Sequence, residues 1–430
     1  ARANPDQPGV QDAFTAAGWF GELRMSREAS VAARRLIGLG PGDEAGRVTN
    51  PFYLKALLYD ARFRYWDGKE GGDVRRIQSA IATMEQLKQL WPDVSVLRQY
   101  TGEEVPWGED LNADLQRHPA WAAYLREAYG RQVRIMEAWF EKRQQPDGQL
   151  GGGWGDDVEL MRTWVPVAAI STGARGVRDG IGRFAEGIWQ TLEDGYDPGI
   201  GDVEHSAEPS ADIVPGMLLL RYGDPEWLER NLLSCRTIRD RFMGVDAKGH
   251  PRFKSTEFGS RGVKTDPRAG ADTGYHARAM KHFLWQGWWG DLAARDWFLR
   301  WVEGWRQATM ARIGSKPAGL PPPGIWYPSG DIVPPVPGVS WWDPHYNYYG
   351  APGLPGMIFD CFLAAYALGG GEEFLRAFQF VTDEGTRGPL PVGELHPPSP
   401  EWCQMALAHA VDPSRTALYK LLTGDRTYDE

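Results

Sequence analysis

Glycine followed by an acid recurs where one helical stretch gives way to the next, and this punctuation limits the chain to a series of helices. YGDPEWL at 222–228, WGDLAARDWFL at 289–299, GGGEEFL at 369–375 and TGDRTYDE at 423–430 all share it. Glycine ends a helix because it alone enters the left-handed region without strain. The acid that follows caps the next helix or matches the positive end of its dipole. The joints lie roughly 50 to 80 residues apart, about one or two helical hairpins with their loops. They make a weak structural repeat rather than a sequence repeat, and the last one reads as the start of a further helix.

Between the joints, apolar residues fall at helical spacing. Over 50–66, Asn50 reads as an N-cap and Pro51 as the first helical residue, followed by FYLKALLYDARFRYW. Further helices are expected at approximately 73–91, 119–143, 158–171, 179–193, 210–221, 225–242, 274–288, 293–313, 354–368, 372–382, 399–410 and 413–422. Strand alternation is scarce. The few β-prone pieces are short and sit between helices.

Chemistry-bearing residues gather in four segments. GGGWGDDVELMRTW, 151–164, runs three glycines and Trp154 into Asp156, Asp157 and a helix start, with Glu159 just beyond. Such a turn allows close backbone approach to a ligand and offers an indole to a sugar ring. GDVEHSAEPSAD, 201–212, holds Asp202, Glu204, His205, Glu208 and Asp212, and reads as a loop before a helix; Glu204 and His205 are the preferred members. Close carboxylates there would separate into an acid and a base. GADTGYHARAMKH, 270–282, places Tyr275 and His276 at a helix mouth, with Arg278 one turn on. Lys254, Arg261, Lys264 and Arg268 form a basic patch upstream, suited to a carboxylate or sulfate on a sugar. SWWDPHYNYYGAPG, 340–353, is the densest cluster, with Trp341, Trp342, Asp343, His345, Tyr346, Asn347, Tyr348 and Tyr349. Asp, His and Asn among so many rings point to a ligand site, since buried polar groups need partners.

The long loops are rich in Gly, Pro, Trp and Tyr, unlike the polar linkers of a scaffold. PAGLPPPGIWYPSGDIVPPVPGV, 317–339, carries Trp326, Tyr327 and Asp331 and reads as a cleft wall rather than a linker. Helix pairs in series with long functional loops resemble the (α/α)6 toroid, or six-hairpin, enzymes, a group of folds that includes glycoside hydrolases and polysaccharide lyases. The resemblance implies an all-α toroid of helical hairpins over 1–430, as one domain or as a piece of a longer protein. It also implies an oligo- or polysaccharide substrate.

Composition narrows the partners. The 20 Trp, 16 Tyr and 16 Phe exceed what packing needs, and part of the excess is expected to line a cleft. A net charge of −10 argues against a nucleic-acid or anionic-membrane surface. No apolar run approaches the roughly 18 residues that span a bilayer. Cys235, Cys361 and Cys403 show no metal or disulfide spacing. The other histidines, His118, His250, His282, His396 and His409, read as structural. No HxH or HExxH spacing occurs, so neither a metal nor a cofactor is expected. The chain begins at Ala1, which reads as a mature form or an excised piece, and a periplasmic or secreted location is expected.

Three functions follow. The first is a glycoside hydrolase with Asp157 and Glu204 as the carboxylate pair and Asp343 as a third candidate. Trp154, Trp341, Trp342 and Tyr346 would be its sugar platforms. The second is a polysaccharide lyase acting on a uronate polymer, which is an anionic substrate. His205, His276 or His345 would be its base and Tyr275, Tyr346 or Tyr349 its acid; Asn347, Arg268 or Arg278 would neutralise the carboxylate. The third is a non-catalytic carbohydrate-binding scaffold. Convergence of the four segments favours an enzyme, and dispersal favours the scaffold.

Overall fold

The computed structural model describes residues 33–34, 37–38, 51–105, 117–171, 174–266, 269–335, 337–342, 355–388, 391 and 396–429. The described residues are mostly helical, with a few short strands. The chain forms two compact units, Ala1–Gln145 with Gln149–Gly153, and Pro146–Gly148 with Trp154–Glu430.

In the first unit, α1 (Pro51–Gly71) and α2 (Val74–Leu90) pack as a hairpin, followed by α3 (Ser95–Tyr100) and α4 (Ala120–Lys142). Pro51 opens α1 as its fixed φ favours, while the expected cap Asn50 lies outside the described residues. Asp73 caps α2 by accepting from the Arg76 amide at 3.1 Å. Leu54, Ala61, Met84, Leu87 and Leu97 form the apolar seam. Arg64 ties the hairpin together, donating to Asp60 at 2.8 Å, Ser79 at 2.7 Å and Thr83 at 3.0 Å.

The second unit begins with α5 (Trp154–Ile170) and α6 (Arg175–Trp189), then β1 (Gly201–Asp202), α7 (Val203–Ala211), α8 (Val214–Leu220) and α9 (Pro225–Thr237). A π turn, Ile238–Phe242, extends α9 into β2 (Met243–Val245) and β3 (Pro251–Phe253). Then come β4 (Glu257–Gly259), β5 (Gly262–Val263), β6 (Ala271–Thr273) and a 3-10 turn, Gly274–Ala277. The rest comprises α10 (Lys281–Trp288), α11 (Leu292–Met310), β7 (Gly324–Trp326), α12 (Pro355–Ala367), α13 (Glu372–Gly385), α14 (Pro400–Ala410) and α15 (Pro413–Thr423). All strand pairs are antiparallel: β1-β4-β5, β2-β3 and β6-β7. A large apolar cluster runs from Phe298, Trp301 and Trp305 on α11 to Phe362 on α12, Phe378 on α13 and Trp402 on α14.

The glycine–acid joints work as their chemistry requires. Gly223, Gly290, Gly369 and Gly424 all have positive φ. Asp224 accepts from the Glu226 amide at 3.0 Å, and Asp291 from the Ala293 and Ala294 amides at 3.0 Å, each opening a helix. The last joint differs: Asp425 accepts from the Thr427 amide at 2.9 Å, but 424–429 is a turn rather than a helix start.

Three expected elements need correction. Residues 203–211 are helical rather than a loop, because Asp202 caps them by accepting from the His205 amide at 3.0 Å. The helix expected over 210–221 is broken, since Pro215 at the start of α8 fits a first turn and not a helix interior. The stretch 274–288 begins as a 3-10 turn and becomes α-helical only at Lys281. No described helix is long and apolar enough to cross a membrane.

A buried polar contact joins α9, α10 and α7. His282 is fully buried, with Nδ1 2.7 Å from Asn231 Oδ1 and Nε2 3.3 Å from Ser210 Oγ. Asn231 Nδ2 donates to the His282 carbonyl at 3.0 Å and to Gln286 at 2.9 Å, so its oxygen is the acceptor and His282 carries a proton on Nδ1. Burial pushes the imidazole down to about 3, with Lys281 adding to the effect. Above the ordinary value of 6.5 the ring is neutral in both states. Below it only the unfolded chain takes up a proton, so stability falls as the pH drops. This residue should cost about 2 kcal/mol of stability at pH 5 relative to pH 8. Urea unfolding across that range checks it, and His282→Gln should flatten this part of the acid dependence.

Candidate functional site

Acids from one helix and cations from three other segments meet at a single cluster. Glu204, Glu208 and Asp212 are spaced four apart, so a helix over 203–211 places them along one face. Arg162 of α5 donates from Nε to Asp212 Oδ2 at 2.5 Å and from Nη2 to Glu208. Arg278, just past the 3-10 turn, donates from Nη1 to Glu208 Oε1 at 2.8 Å and to the Glu204 carbonyl at 3.1 Å. Lys281, opening α10, donates to Asp212 Oδ1 at 2.7 Å. Arg162 also pairs with Glu159, Nη2 to Oε1 at 3.4 Å. The Arg278 guanidinium stands 5.7 Å from the centre of the Tyr275 ring, within reach of a cation–π attraction.

The two buried acids are tuned in opposite directions. Burial pushes the Glu208 carboxyl up, and the charges of Arg278 and Arg162 only partly offset this. Burial acts the same way on Asp212, but Lys281, Arg278 and Arg162 outweigh it and hold that carboxyl below its ordinary range. On the same helix His205 is exposed, with Nδ1 2.7 Å from Asp202 Oδ1, a bond that raises its pKa. Burial raises Tyr275, and the nearby Glu204 adds to it.

Arg162, Arg278 and Lys281 line a cavity of about 400 Å³. The rest of the lining is Trp285 and Leu284 of α10, Phe298 of α11 and Met357 of α12, together with Asp360 of α12, whose carboxylate is paired with Arg415. The volume lies in the usual range for small-ligand sites. The wall thus presents three cations and an indole, with the carboxylates Glu208 and Asp212 bonded to those cations.

Three of the four expected segments therefore converge, though through partly different residues. Tyr275, Arg278 and Glu204 belong to the cluster or its edge, and His205 lies on the same helix as Glu204. His276 does not belong to it. It is fully buried, with Phe253 stacked on it at 4.0 Å, and its ring nitrogens face the Thr273 amide at 2.8 Å and the Ser255 carbonyl at 3.1 Å. Asp272 Oδ1 is 3.1 Å from its Nδ1. Such a ring fixes the turn and cannot reach a substrate. Asp157 is buried on α5 and Asp156 half-buried beside it.

The expected sugar platforms are packing residues. Trp341 and Trp342 are 2 % and 6 % exposed. Trp342 packs edge-on against Trp402 at 4.3 Å, and Trp341 donates to Ser315 at 2.9 Å. Trp154 sits in the first turn of α5, edge-on to Phe184 at 5.4 Å, and so joins α5 to α6. The upstream basic patch is also engaged: Arg261 pairs with Glu193 at 3.0 Å, Lys264 with Glu257 at 2.8 Å, and Lys254 donates to the Arg241 carbonyl at 3.2 Å. Arg268, Asp343, His345, Tyr346, Asn347, Tyr348 and Tyr349 lie outside the described residues. Arg162, Lys281, Trp285 and the roles of Glu208 and Asp212 were not singled out from sequence. The four-residue spacing of the acids was the available signal, hidden by reading 201–212 as a loop.

Among the described residues, no group of three or more His, Cys, Asp or Glu side chains is placed to hold a metal ion. No known family, curated protein or solved structure matches the chain.

The opposite tuning of the two acids makes a testable difference. Asp212→Asn removes a charge that three cations surround, and should cost about 3 kcal/mol, typical of breaking a buried pair. Glu208→Gln alters a carboxyl whose pKa burial raises, and should cost less than Asp212→Asn. Urea denaturation of the two variants at neutral pH reads the difference.

Proposed function

We propose that the chain cleaves an acidic polysaccharide, at the cavity lined by Arg162, Arg278 and Lys281, by β-elimination next to a uronate. The observation that carries this reading is a wall of three cations on one ligand-sized cavity, in a chain of net charge −10. Guanidinium groups suit carboxylates because their paired donors match the two oxygens. In this reading Arg278 and Lys281 hold the uronate carboxylate and stabilise the charge that spreads into it as C5 loses its proton. His205 takes the C5 proton. The electron pair forms the C4–C5 double bond, the C4–oxygen bond breaks, and Tyr275 returns a proton to the leaving oxygen. Trp285 offers an aromatic face to a sugar ring. The helical hairpins would belong to an (α/α)6 toroid, whose members include enzymes of this chemistry.

Hydrolysis is the second reading, and the raised Glu208 carboxyl favours it. Glu208, with its pKa raised by burial, beside Glu204 one turn away on α7, has the makings of an acid and a second carboxylate.

One experiment separates the two. Oligo- and polysaccharides, uronate polymers included, are incubated with the protein while reducing ends and absorbance near 235 nm are followed together; that wavelength reports the conjugated double bond. Absorbance rising with the reducing ends means elimination, and Tyr275→Phe should then reduce kcat at least about a hundredfold. Reducing ends without absorbance mean hydrolysis, and Glu208→Gln should then be the damaging change. Elimination also sets a pH profile. His205 must be neutral to accept a proton, and its bond to Asp202 raises its pKa above 6.5. Activity should therefore rise with pH through a midpoint above 6.5, and Asp202→Asn should move that midpoint down.

A further inference from the structure

The second unit holds another cavity, of about 390 Å³, built from residues the first site does not use. Its floor is Arg252 of β3, which is 2 % exposed. Its sides are Gly304 and Gln307 of α11, Lys248 and His250 of the β2-β3 turn, and an apolar strip of Ile313, Ile332 and Val333. Gly330 through Val333 come from the Pro-rich stretch, which is therefore a cavity wall and not a linker. β7 anchors that stretch by pairing with β6, Gly324 opposite Thr273 and Trp326 opposite Ala271.

Arg252 is costly to bury, and its surroundings balance its charge without using all of its donors. Nε donates to Asp246 Oδ2 at 3.0 Å. Nη1 lies 3.5 Å from Asp272 Oδ2 but makes no hydrogen bond, and Asp272 Oδ2 instead accepts from Trp301 Nε1 at 2.8 Å. Nη1 is thus a buried donor without a hydrogen-bond partner, and Nη2 lies toward Gly304, which lines the cavity. Space has been left for the guanidinium as well: a Cβ at Gly304 would stand 2.1 Å from Arg252 Nη2. At the rim, His250 Nε2 and Gln307 Oε1 are 3.3 Å apart, and Lys248 pairs with Asp331 at 3.1 Å.

Charge decides what kind of acceptor fits. Asp246 and Asp272 already offset Arg252, and Asp331 offsets Lys248. No excess of positive charge is left for an anion. What remains is a guanidinium donor, polar groups at the rim and an apolar strip, the mix that binds a ring bearing hydroxyls on its edge and C–H groups on its face. We infer that this cavity is a second ligand site, taking a neutral polyhydroxylated ligand about the size of one sugar ring. On α11, Phe298 lines the first cavity and Gly304 the second, roughly 9 Å apart along the helix axis.

Calorimetry with glucose, galactose and mannose, each beside its own uronate, tests this. At least one neutral hexose is expected to bind, and Gln307→Ala is expected to weaken it while leaving uronate binding unchanged. Gln307→Ala should weaken that binding about tenfold, the loss of one good polar contact. Gly304→Ala should abolish it by driving a Cβ into Arg252, with near-ultraviolet circular dichroism confirming that the core is intact. Should that variant fail to fold, Gln307→Ala and Lys248→Ala at the exposed rim read the same site. Lys281→Ala, in the first cavity, should leave hexose binding unchanged. The inference is overturned if no hexose binds, if Gln307→Ala weakens a uronate more than its hexose, or if Lys281→Ala removes hexose binding while Gln307→Ala does not. None of these results bears on whether the first cavity cleaves a polymer, which the product assay reads separately.

Discussion

Asp212 is the group on which the site depends. Its carboxylate is buried and still ionised because Lys281, Arg278 and Arg162 surround it. Without them the charge could not remain in so dry a place. The reverse also holds, since two guanidinium groups and an ammonium brought so close would repel one another without acids between them. The bonds therefore fix three segments at once: α5 through Arg162, the turn after β6 through Arg278, and α10 through Lys281. Those same three cations line the cavity, so the contact that holds the helices together also sets the charge of the wall.

Support for this cluster is largely apolar and aromatic. α11 carries Phe298, Trp301 and Trp305 in a row toward the core, and α12 answers with Phe359 and Phe362. The short strands add little area, but they hold the turns between helices. β1 pairs with β4 just before α7 begins, and β6 pairs with β7 just before the 3-10 turn that leads to Arg278. Each pairing sets where a catalytically interesting segment starts. His276 does the same from inside, with its ring packed against Phe253 and Phe258 and its nitrogens bonded to the backbone around it. Histidine at such a helix mouth suggests chemistry from sequence, but here it serves as a buried staple.

The two cavities lie close along α11, and in both each cation has an acid beside it. The first brings Arg162, Arg278 and Lys281 to one lining and the second Arg252 and Lys248. Which acid meets which cation cannot be deduced from a count of charged residues in either segment. The basic patch over 254–264 shows why: Lys254, Arg261 and Lys264 look free in sequence, yet each is bonded to a neighbour.

The helical class, the joints and most helix positions could be read from the chain alone. They rest on local rules: glycine at positive φ, an acid accepting from the amides that follow it, and apolar spacing near 3.6 residues. That polar residues of the 151–164, 201–212 and 270–282 segments would find partners was legible too, because polar residues do not crowd together without them. The face each side chain takes was not legible. Glu208 and Asp212 became the central acids only once 203–211 was helical, and that depended on a cap at Asp202 in a stretch that Pro209 and its polar residues made look irregular. Trp342 became core, not platform, because Trp402 comes from some sixty residues later to pack against it, and Trp341 packs in turn against Trp342. Burial and ion pairing are sums over residues distant in sequence, so only the tertiary structure decides which acid is raised and which lowered in pKa, which cation lines a cavity and which tryptophan is buried.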